Sequence, residues 1–574
     1  MKAQPSSFAL TSITGLLLFG VASAQSPATP ADTILTNGQI YTADGTWAEA
    51  LAIKSGVILA VGDNTSVQPY RAATTKVMDL GGRTVLPGFH DMHMHPLQGG
   101  YSLRSCGLKR EATPSEIRET VSLCAAKAKP GDWITGGRWV NDVFKTAPQD
   151  RALLDEAAPN NPVILTDETG HSSWANSLAL KMAGITKETP NPVNGVIEHR
   201  PDGEPNGLLR EAPAANLVRS KIPPTSPEED AEALRLALQT TLAAGITTLQ
   251  DAAASRQTLT AFTILADRGE LKQRVKACIT WTYNPSGADR NFEAVYNERN
   301  LYRRDRLEPS CVKIFGDGVP GEGHTAGMLD PYTAPVPGDK DNARRNGILN
   351  VPQDVMNKMV TRFDKDGMAM MIHCTGDACA REAVNAVAAA REANGWSGVL
   401  HQIAHDNFTT AADLKRGRQL GVSFEFSAYL YYLNGVTRDY LKAIGPQRFT
   451  RYKPVREAID DGAIALEGSD WPVSPAPNPW IAVETLITRK KPGGSEDPPL
   501  APNEAITLKE AIDIYTVNAA KQFGNSDQVG SIKPGLFADL IVLDRNPFKV
   551  PITTVHDTKV ETAIINGEVV YQAP

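Results

Sequence analysis

Short apolar runs alternate with longer amphipathic stretches through the middle of the chain. Eight of the apolar runs end in polar or charged residues: TVLPGFHDMHMH, TTLQDA, RVKACITW, CVKIFGDG, AMMIHCTGD, HQIAHDN, VSFEFS and AIALEGSD. Between them, residues 227–244 and 377–394 have helical periodicity. Strands that alternate with helices predict a parallel α/β sheet, and eight repeats predict a (β/α)8 barrel of the TIM type.

A doubly wound open sheet is the alternative arrangement of the same elements. Such a sheet is expected to carry a glycine-rich phosphate turn after its first strand, and neither a GxGxxG nor a Walker sequence follows the first run. The barrel is therefore the favoured fold, over residues 84–527. Residues 97–221 do not fit the eightfold count, and we predict that they form an insertion after the first barrel strand, with WITGGRW and PVILTDE as strands.

The two ends of the chain share a third pattern. Residues 32–83 consist of short runs rich in β-forming residues, separated by Asn-Gly, Asp-Gly and Gly-Gly turns. Residues 528–574 have the same pattern of β-rich runs. Neither segment has enough strands to close a sheet alone, and two separate small sheets would leave exposed edges. We therefore predict one small composite, sandwich-like β-domain built from both termini.

Residues 1–24 have the features of a secretory signal peptide. Lys2 gives a positive start, an apolar run follows over residues 13–22, and Ala22-Ser23-Ala24 is a small-residue cleavage site. The apolar run is too short to span a membrane, and no other stretch is long and apolar enough to do so. The expectation is an exported protein, periplasmic or secreted.

Composition narrows the partners that the protein can have. The 574 residues carry 58 Lys and Arg against 65 Asp and Glu, a net charge of −7, without a block of like charges. We therefore expect a small molecule as the binding partner, and neither nucleic acid nor a membrane. Assembly into a homo-oligomer is left open. Six cysteines are too few for a disulfide scaffold in so long a chain, and we expect Cys374 and Cys379 to be small buried core residues.

Histidines and carboxylates cluster at the ends of the predicted strands. Asp91, His93 and His95 lie at i, i+2 and i+4, so an extended strand presents all three to one face. Active sites of TIM barrels form at the carboxyl ends of the strands, where these imidazoles would suit a divalent cation such as Zn²⁺ with open positions for water. Four other runs end in candidate residues of the same site: Lys313, His373, His405 and Asp470.

The chain resembles the metal-dependent amidohydrolase superfamily, and within it amidohydrolase family 3, the branch with N-substituted formamide deformylase-like proteins. The resemblance covers nearly the whole mature chain and rests on LPGFHDMHMH, GGRW, GHSSWANSLAL, GLLREA, AGITTLQDA, VKIFGDG, MIHCTGD, IAHDN, GSDWPV and GSIKPGLFADLIVLD. It implies the barrel, the composite β-domain and a hydrolytic site with one or two metal ions. One departure is His90, where the family more often has an aliphatic residue. Since neighbouring strand residues alternate faces, we expect His90 to point away from the metal.

The resemblance also implies a role for each residue at a strand end. His93 and His95 would hold the more buried metal ion, with Asp470 reaching that ion and the attacking water. His373 and His405 would hold a second ion. Zn²⁺ is the expected metal.

Lys313 needs a separate explanation, because a protonated lysine is not a metal ligand. The resemblance makes a carbamate formed with CO₂, bridging two cations, the expected form of Lys313. An ordinary lysine paired with Asp317 or Asp470 is the alternative, and Glu211 is then the reserve carboxylate. Four loop residues are the candidates for substrate binding: His171, Trp174, His324 and Trp471.

These features predict an exported metal-dependent hydrolase that cleaves a C–N bond of a small organic molecule, in an amide, formamide or carbamate. The metal would lower the pKa of its bound water towards ~7 and polarise the substrate carbonyl, while Asp470 would transfer the proton to the leaving nitrogen. An esterase or lactonase that uses the same site is the near alternative. A non-catalytic binding or regulatory protein that keeps the fold is the alternative from another class.

Overall fold

The computed structural model describes most of the chain outside the first 28 residues, so the predicted signal peptide lies outside the described residues. The described ranges are 29–109, 112–139, 141–144, 149–167, 172–192, 195–321, 324–335, 344–427 and 431–574.

Eight parallel strands form the barrel, and each strand pairs with the next one along the chain. The backbone N–H of Met92 on the first strand donates to the carbonyl of Glu467, directly after the eighth strand, at 2.9 Å, and so joins the two ends of the sheet. The eight predicted runs are the eight strands, and the predicted barrel is confirmed. The strands are Phe89–Met94, Ile246–Ala254, Arg274–Trp281, Leu307–Phe315, Ala369–His373, His401–Ala404, Val422–Glu425 and Ala465–Leu466.

Helices cover the outside of the barrel. The helix Pro227–Ala243 shows why these segments are helical and pack on the barrel. Ser226 and Glu229 form a capping box that starts the helix. Leu234 and Leu238, one turn apart, form an apolar face that is buried in the main core. The longer helices around the barrel include Pro96–Arg104, Pro227–Ala243, Arg256–Asp267, Arg290–Tyr302, Gln353–Lys365, Asp377–Asn394, Ala411–Gln419, Gly435–Ile444 and Pro479–Thr488. The shorter ones towards the end of the chain include Pro446–Phe449, Val455–Asp460, Leu508–Asp513, Ile514–Asn518 and Ala519–Phe523.

Two small sheets lie outside the barrel and the insertion, and strands from both ends of the chain meet in the larger one. In the larger sheet, Leu540–Leu543 pairs antiparallel with Thr84–Pro87, which joins the C-terminal strands to the N-terminal ones. Burial of Val85 and Leu540 in one apolar cluster accompanies this pairing of the two ends. The expectation that neither end could form a sheet alone is wrong for the N-terminal segment, because its strands form the smaller, four-stranded sheet by themselves. The composite β-domain of the fold prediction is therefore present. In sheet order, its strands are Val57–Gly62, Ala50–Lys54, Thr33–Thr36 and Lys76–Asp79 in one sheet and Glu568–Gln572, Val560–Ile565, Leu540–Leu543, Thr84–Pro87, Gln39–Tyr41 and Trp47–Ala48 in the other.

A second α/β unit follows the first barrel strand, as predicted for the insertion. Its six-stranded sheet has an apolar core of its own, and the guanidinium of Arg138 donates to the carbonyl of Pro472 at 2.6 Å, close to the end of the eighth barrel strand. Its strands are Cys106–Gly107, Ile134–Trp139, Val163–Asp167, Ser172–Ala175, Val196–His199 and Pro205–Arg210, and its helices are Pro114–Lys127, Arg151–Ala157, Ser177–Ala183 and Glu211–Arg219.

All six cysteines are paired in disulfides, and none of these pairs was predicted from the sequence. Cys374 and Cys379 are buried, but they form a disulfide that links the end of the fifth strand to the helix that follows. Cys278 and Cys311 are cross-strand partners in the barrel sheet, a proximity that spacing along the chain could not reveal. Among the described residues, no helix has the length and apolar character needed to cross a membrane. The three disulfides are Cys106–Cys124, Cys278–Cys311 and Cys374–Cys379.

Candidate metal centre

The first and eighth barrel strands bring two histidines and an aspartate together. The Asp470 Oδ1 atom lies 3.2 Å from Nε2 of His95 and 3.7 Å from Nε2 of His93. One potential ligand atom from each of the three lies within 4.8 Å of the others, an arrangement that can hold a metal ion. Gly468 permits this close approach, because a Cβ at that position would stand 2.3 Å from the Cβ of His93.

The fourth, fifth and sixth strands bring the other predicted residues to the same opening. The Nζ atom of Lys313 lies 3.4 Å from Nε2 of His93, and the imidazole centroids of His93 and His405 are 4.3 Å apart. The His373 ring lies 4.6 Å from that of His405, with its Nε2 3.1 Å from the carbonyl oxygen of Gly318. The structure thus brings together all six residues that the sequence nominates for the metal.

Burial keeps three of the site histidines, His93, His373 and His405, uncharged. Desolvation lowers the pKa of His93 and His405 well below the usual value, and the neighbouring histidines and Lys313 lower it further. The pKa of His373 falls to about 4, first from burial and then from the charge of Lys313. A histidine must be uncharged to bind a metal, so these three side chains are in the required form at neutral pH.

Asp470 remains ionised in the same environment. Burial alone would raise its pKa, but the hydrogen bond from His95 and the nearby His93 and Lys313 hold the pKa below the usual value. Uncharged imidazoles beside an ionised carboxylate are the donor set that Zn²⁺ and similar cations bind. The described residues therefore fit a divalent metal ion.

Two of these side chains depend on strained backbone. His405 has a φ of 63° and Asp470 a φ of 51°, in the left-handed region that residues other than glycine seldom adopt. The N–H of Asp470 donates to the carbonyl of His93 at 2.7 Å, which stabilises this conformation across the first and eighth strands. Such strain costs of order 1–3 kcal/mol per residue and is concentrated at functional sites.

Sequence reasoning missed Glu425, at the end of the seventh strand. Its carboxylate is fully buried, with Oε2 3.0 Å from Nδ1 of His93, and together with His93 and His405 it forms a second group of closely spaced ligand atoms. A signal was available, because Glu425 occupies the strand-end position at which five other strands carry a site residue. Asp317 was noted only as a partner for Lys313. It instead accepts hydrogen bonds from three backbone N–H groups, and burial raises its pKa to about 8.

The predicted substrate-binding residues have different outcomes. Trp174 is fully buried in the core of the insertion, in edge contact with Trp139, so it does not line the cleft as expected. Its sheet packs there against the insertion helices Pro114–Lys127 and Arg151–Ala157. Trp471 is 2% exposed and packs against the Gly99 backbone, although its carbonyl accepts the N–H of His95 at 2.8 Å.

The remaining candidates lie beside the site or outside the described residues. His324 is in the loop after the fourth strand, buried against Tyr332 at a ring distance of 4.6 Å. His171 and the side chain of Glu211 lie outside the part of the chain that the structure describes. His90 is buried on the opposite face of the first strand, next to Phe523, and so points away from the site.

Comparison with protein families agrees with this geometry. The model of the amidohydrolase family matches residues 76–571, which include the barrel, the insertion and both parts of the β-domain except the first strands. The chain belongs to the amidohydrolase family. The match confirms the predicted membership of amidohydrolase family 3 and the predicted enzyme class of hydrolase.

Relatives of this amidohydrolase extend over almost its whole length. The N-substituted formamide deformylase of Arthrobacter pascens is 28% identical and covers 94% of this chain and 98% of its own. The protein LONG AFTER FAR-RED 3 of Arabidopsis thaliana is 29% identical over 90% of this chain and 88% of its own. The crystal structure of an uncharacterised metal-dependent hydrolase from Pyrococcus horikoshii covers 91% of this chain and 99% of its own, with a TM-score of 0.73 and 22% identity, and so has the same fold.

Proposed function

We propose that this amidohydrolase is an exported, metal-dependent enzyme that hydrolyses a C–N bond in an amide, formamide or carbamate of a small organic molecule. The observation that carries the proposal is the group formed by His93, His95 and Asp470, with its ligand atoms within 4.8 Å of one another at the mouth of the barrel. The relationship to a formamide deformylase over 94% of the chain supports an acyl–nitrogen bond as the target.

His93, His95 and Asp470 would hold one Zn²⁺ ion, and His405 and His373 would hold a second where two are bound. When bound, such an ion supplies an activated water near neutral pH and polarises the carbonyl of the substrate. Asp470 accepts the proton of the attacking water and returns it to the departing nitrogen, which leaves as a neutral amine. Its low pKa, held by the hydrogen bond from His95 and by the nearby His93, keeps Asp470 ionised and so able to accept that proton.

Lys313 carries the carbamate in this proposal. Burial lowers the pKa of its ammonium to about 8, which raises the share of neutral amine that can attack CO₂. The ammonium first loses one proton; the neutral amine then forms an N–C bond as one C=O π bond of CO₂ opens, and a second proton leaves the nitrogen. The loss of two protons thus converts a cation into an anion. That anion would stand beside His93, whose Nε2 is 3.4 Å from Nζ, between the strands that carry the two sets of histidines.

The mass of the intact protein tests this modification. Under native conditions with bicarbonate, we expect an added mass of one CO₂ that Lys313→Ala removes. Lys313→Ala should also lose about one equivalent of metal, and short carboxylic acids should restore part of its activity because they can replace the bridging carboxylate. A native protein whose mass is unmodified at full activity and full metal content would contradict the carbamate.

Exposed apolar side chains around the opening favour a substrate with an apolar substituent. Phe315 ends the fourth strand, is 40% exposed and lies 5.7 Å from the His373 ring. Val473 is 68% exposed and its N–H donates to the carbonyl of Asp470. Exposed apolar groups beside a polar site are typical of ligand-binding surfaces. N-alkyl and N-aryl amides should therefore be better substrates than amides with charged substituents.

A substrate panel separates this proposal from its alternatives. We expect N-alkyl or N-aryl formamides and amides to be hydrolysed with higher kcat/KM than matched esters and lactones. Hydrolysis of esters or lactones alone would favour the esterase or lactonase alternative. Absence of hydrolysis across the panel, with metal bound, would favour a binding or regulatory protein.

The disulfides support export. Disulfides persist in the periplasm and outside the cell and are rare in reducing cytosol, and all six cysteines of this chain are paired. The pairing of all six cysteines agrees with the signal peptide predicted for residues 1–24 and supports our proposal of a periplasmic or secreted location. N-terminal sequencing of the protein recovered from a periplasmic or culture fraction should begin at Gln25.

A further inference from the structure

Glu425 is surrounded by hydrogen-bond donors. Its Oε2 atom faces Nδ1 of His93 at 3.0 Å and accepts the backbone N–H of His405 at 3.1 Å. Its Oε1 atom accepts the N–H of Ser427 at 2.6 Å and the hydroxyl of the same residue at 3.0 Å. Each carboxylate oxygen has two lone pairs, so all four acceptor positions are occupied and none remains for a metal ion.

We propose that Glu425 is a positioning residue that fixes the tautomers of two metal-binding histidines, His93 directly and His405 through Ser427, and that it does not bind the metal itself. The inference rests on the proposed metal site. A carboxylate only accepts hydrogen bonds, so His93 must carry its proton on Nδ1. The Nε2 of His93 is then the free donor, and this atom faces Asp470 and Lys313.

The second branch passes through a serine hydroxyl. The Oγ atom of Ser427 lies 2.6 Å from Nδ1 of His405 and 3.0 Å from Oε1 of Glu425. The hydroxyl has one proton, and donation to the carboxylate relieves the contact between two oxygen lone pairs. Ser427 must then accept a hydrogen bond from Nδ1–H of His405, which leaves Nε2 of His405 free for a metal.

The same carboxylate stabilises the backbone directly after the sixth and seventh strands. His405 and Ser427 have φ values of 63° and 49°, and the N–H of each donates to Glu425. The ammonium of Lys453 donates to the carbonyl of Phe426, between Glu425 and Ser427, and places a positive charge beside the buried carboxylate. Partners of this kind orient metal-binding histidines, and their loss costs about 10- to 100-fold in metal affinity.

Histidine tautomers can be measured without any metal. Metal-free protein labelled with ¹⁵N in the imidazole rings should show both His93 and His405 as neutral Nδ1–H tautomers in long-range proton–nitrogen spectra, assigned with His93→Gln and His405→Gln. Ser427→Ala should change the tautomer of His405 and leave His93 unchanged. An Nε2–H tautomer of either histidine in the native protein would overturn the inference. Because the protein is metal-free here, failure to bind metal would contradict the proposed function and not this result.

Glu425→Gln distinguishes positioning from ligation. Its amide presents two donors where two acceptors are needed, so we expect a changed tautomer at His93 and a metal affinity about 10- to 100-fold weaker. The absorption spectrum of the Co²⁺-saturated variant should match that of the native protein. An altered spectrum would make Glu425 a ligand and contradict the proposal. Glu467→Gln is the matched control, since Glu467 is equally buried at the end of the next strand but bonds to Tyr431, and it should change neither tautomer. If Glu425→Gln does not fold, the native tautomers and Ser427→Ala decide the question.

Discussion

His93→Ala should lose both the bound metal and the hydrolytic activity. His93 belongs to both groups of closely spaced ligand atoms, since it lies near His95 and Asp470 on one side and near Glu425 and His405 on the other. Its removal therefore deletes a ligand of the proposed first metal ion and disturbs the neighbouring His405. We expect kcat/KM to fall at least about 10⁴-fold, equivalent to about 5.5 kcal/mol of transition-state stabilisation. Metal content by elemental analysis and kcat/KM on the best amide of the panel measure the two losses.

His90→Leu is the matched control for this experiment. His90 lies on the same strand, but it is buried on the opposite face against Phe523 and has no place in the site. The control should keep its metal and its activity. Circular dichroism should show both variants folded, because the barrel strand keeps its backbone pairing. Full activity of His93→Ala would contradict the assignment of the site.

Asp470→Asn should separate proton transfer from metal binding. The amide keeps the size of the side chain and one oxygen that can bind metal, but it cannot accept the proton of the attacking water. A general base contributes about 10²- to 10⁴-fold in rate, so kcat should fall by that factor. This fall corresponds to an activation free energy that is about 3 to 5 kcal/mol higher. KM should change much less, because the interaction is made mainly in the transition state.

The pH profile of the same variant tests the assignment of the base. The hydrogen bond from His95 and the nearby His93 hold the pKa of Asp470 below its usual value. In the native enzyme Asp470 therefore loses its function only when the pH falls below the usual carboxyl pKa and through this lowered one. The acidic limb of the kcat profile should therefore vanish or move in Asp470→Asn. The native kcat and an unchanged pH profile would require another base, such as His405 or Asp377, and would make the mechanism wrong at its central step.

The barrel and most of the site follow from local patterns. Each strand is a short apolar run, and the rule that parallel strands end at the same rim places His93, Lys313, His373 and His405 together without knowledge of the packing. The prediction works because strand order in this barrel is the order of the sequence. Asp470 is found for the same reason, at the end of the short eighth strand.

Features that depend on contacts between distant segments could not be predicted. Cys278 and Cys311 are partners only because the third and fourth strands are in register. Trp174 lies in the interior of the insertion because its sheet buries one face in a separate core. Glu425 looks like any strand-end acid in the sequence, and its role depends on the distances to His93 and Ser427.

Removal and return of metal tests the central claim most directly. Native protein should contain one or two equivalents of divalent metal, and a chelator should remove the metal together with the amide-hydrolysing activity. Zn²⁺ added back to the dialysed protein should restore both in parallel, and His90→Leu should behave in the same way. Native protein that is free of metal, or that keeps its full activity after chelation and dialysis, would contradict a metal-dependent hydrolase.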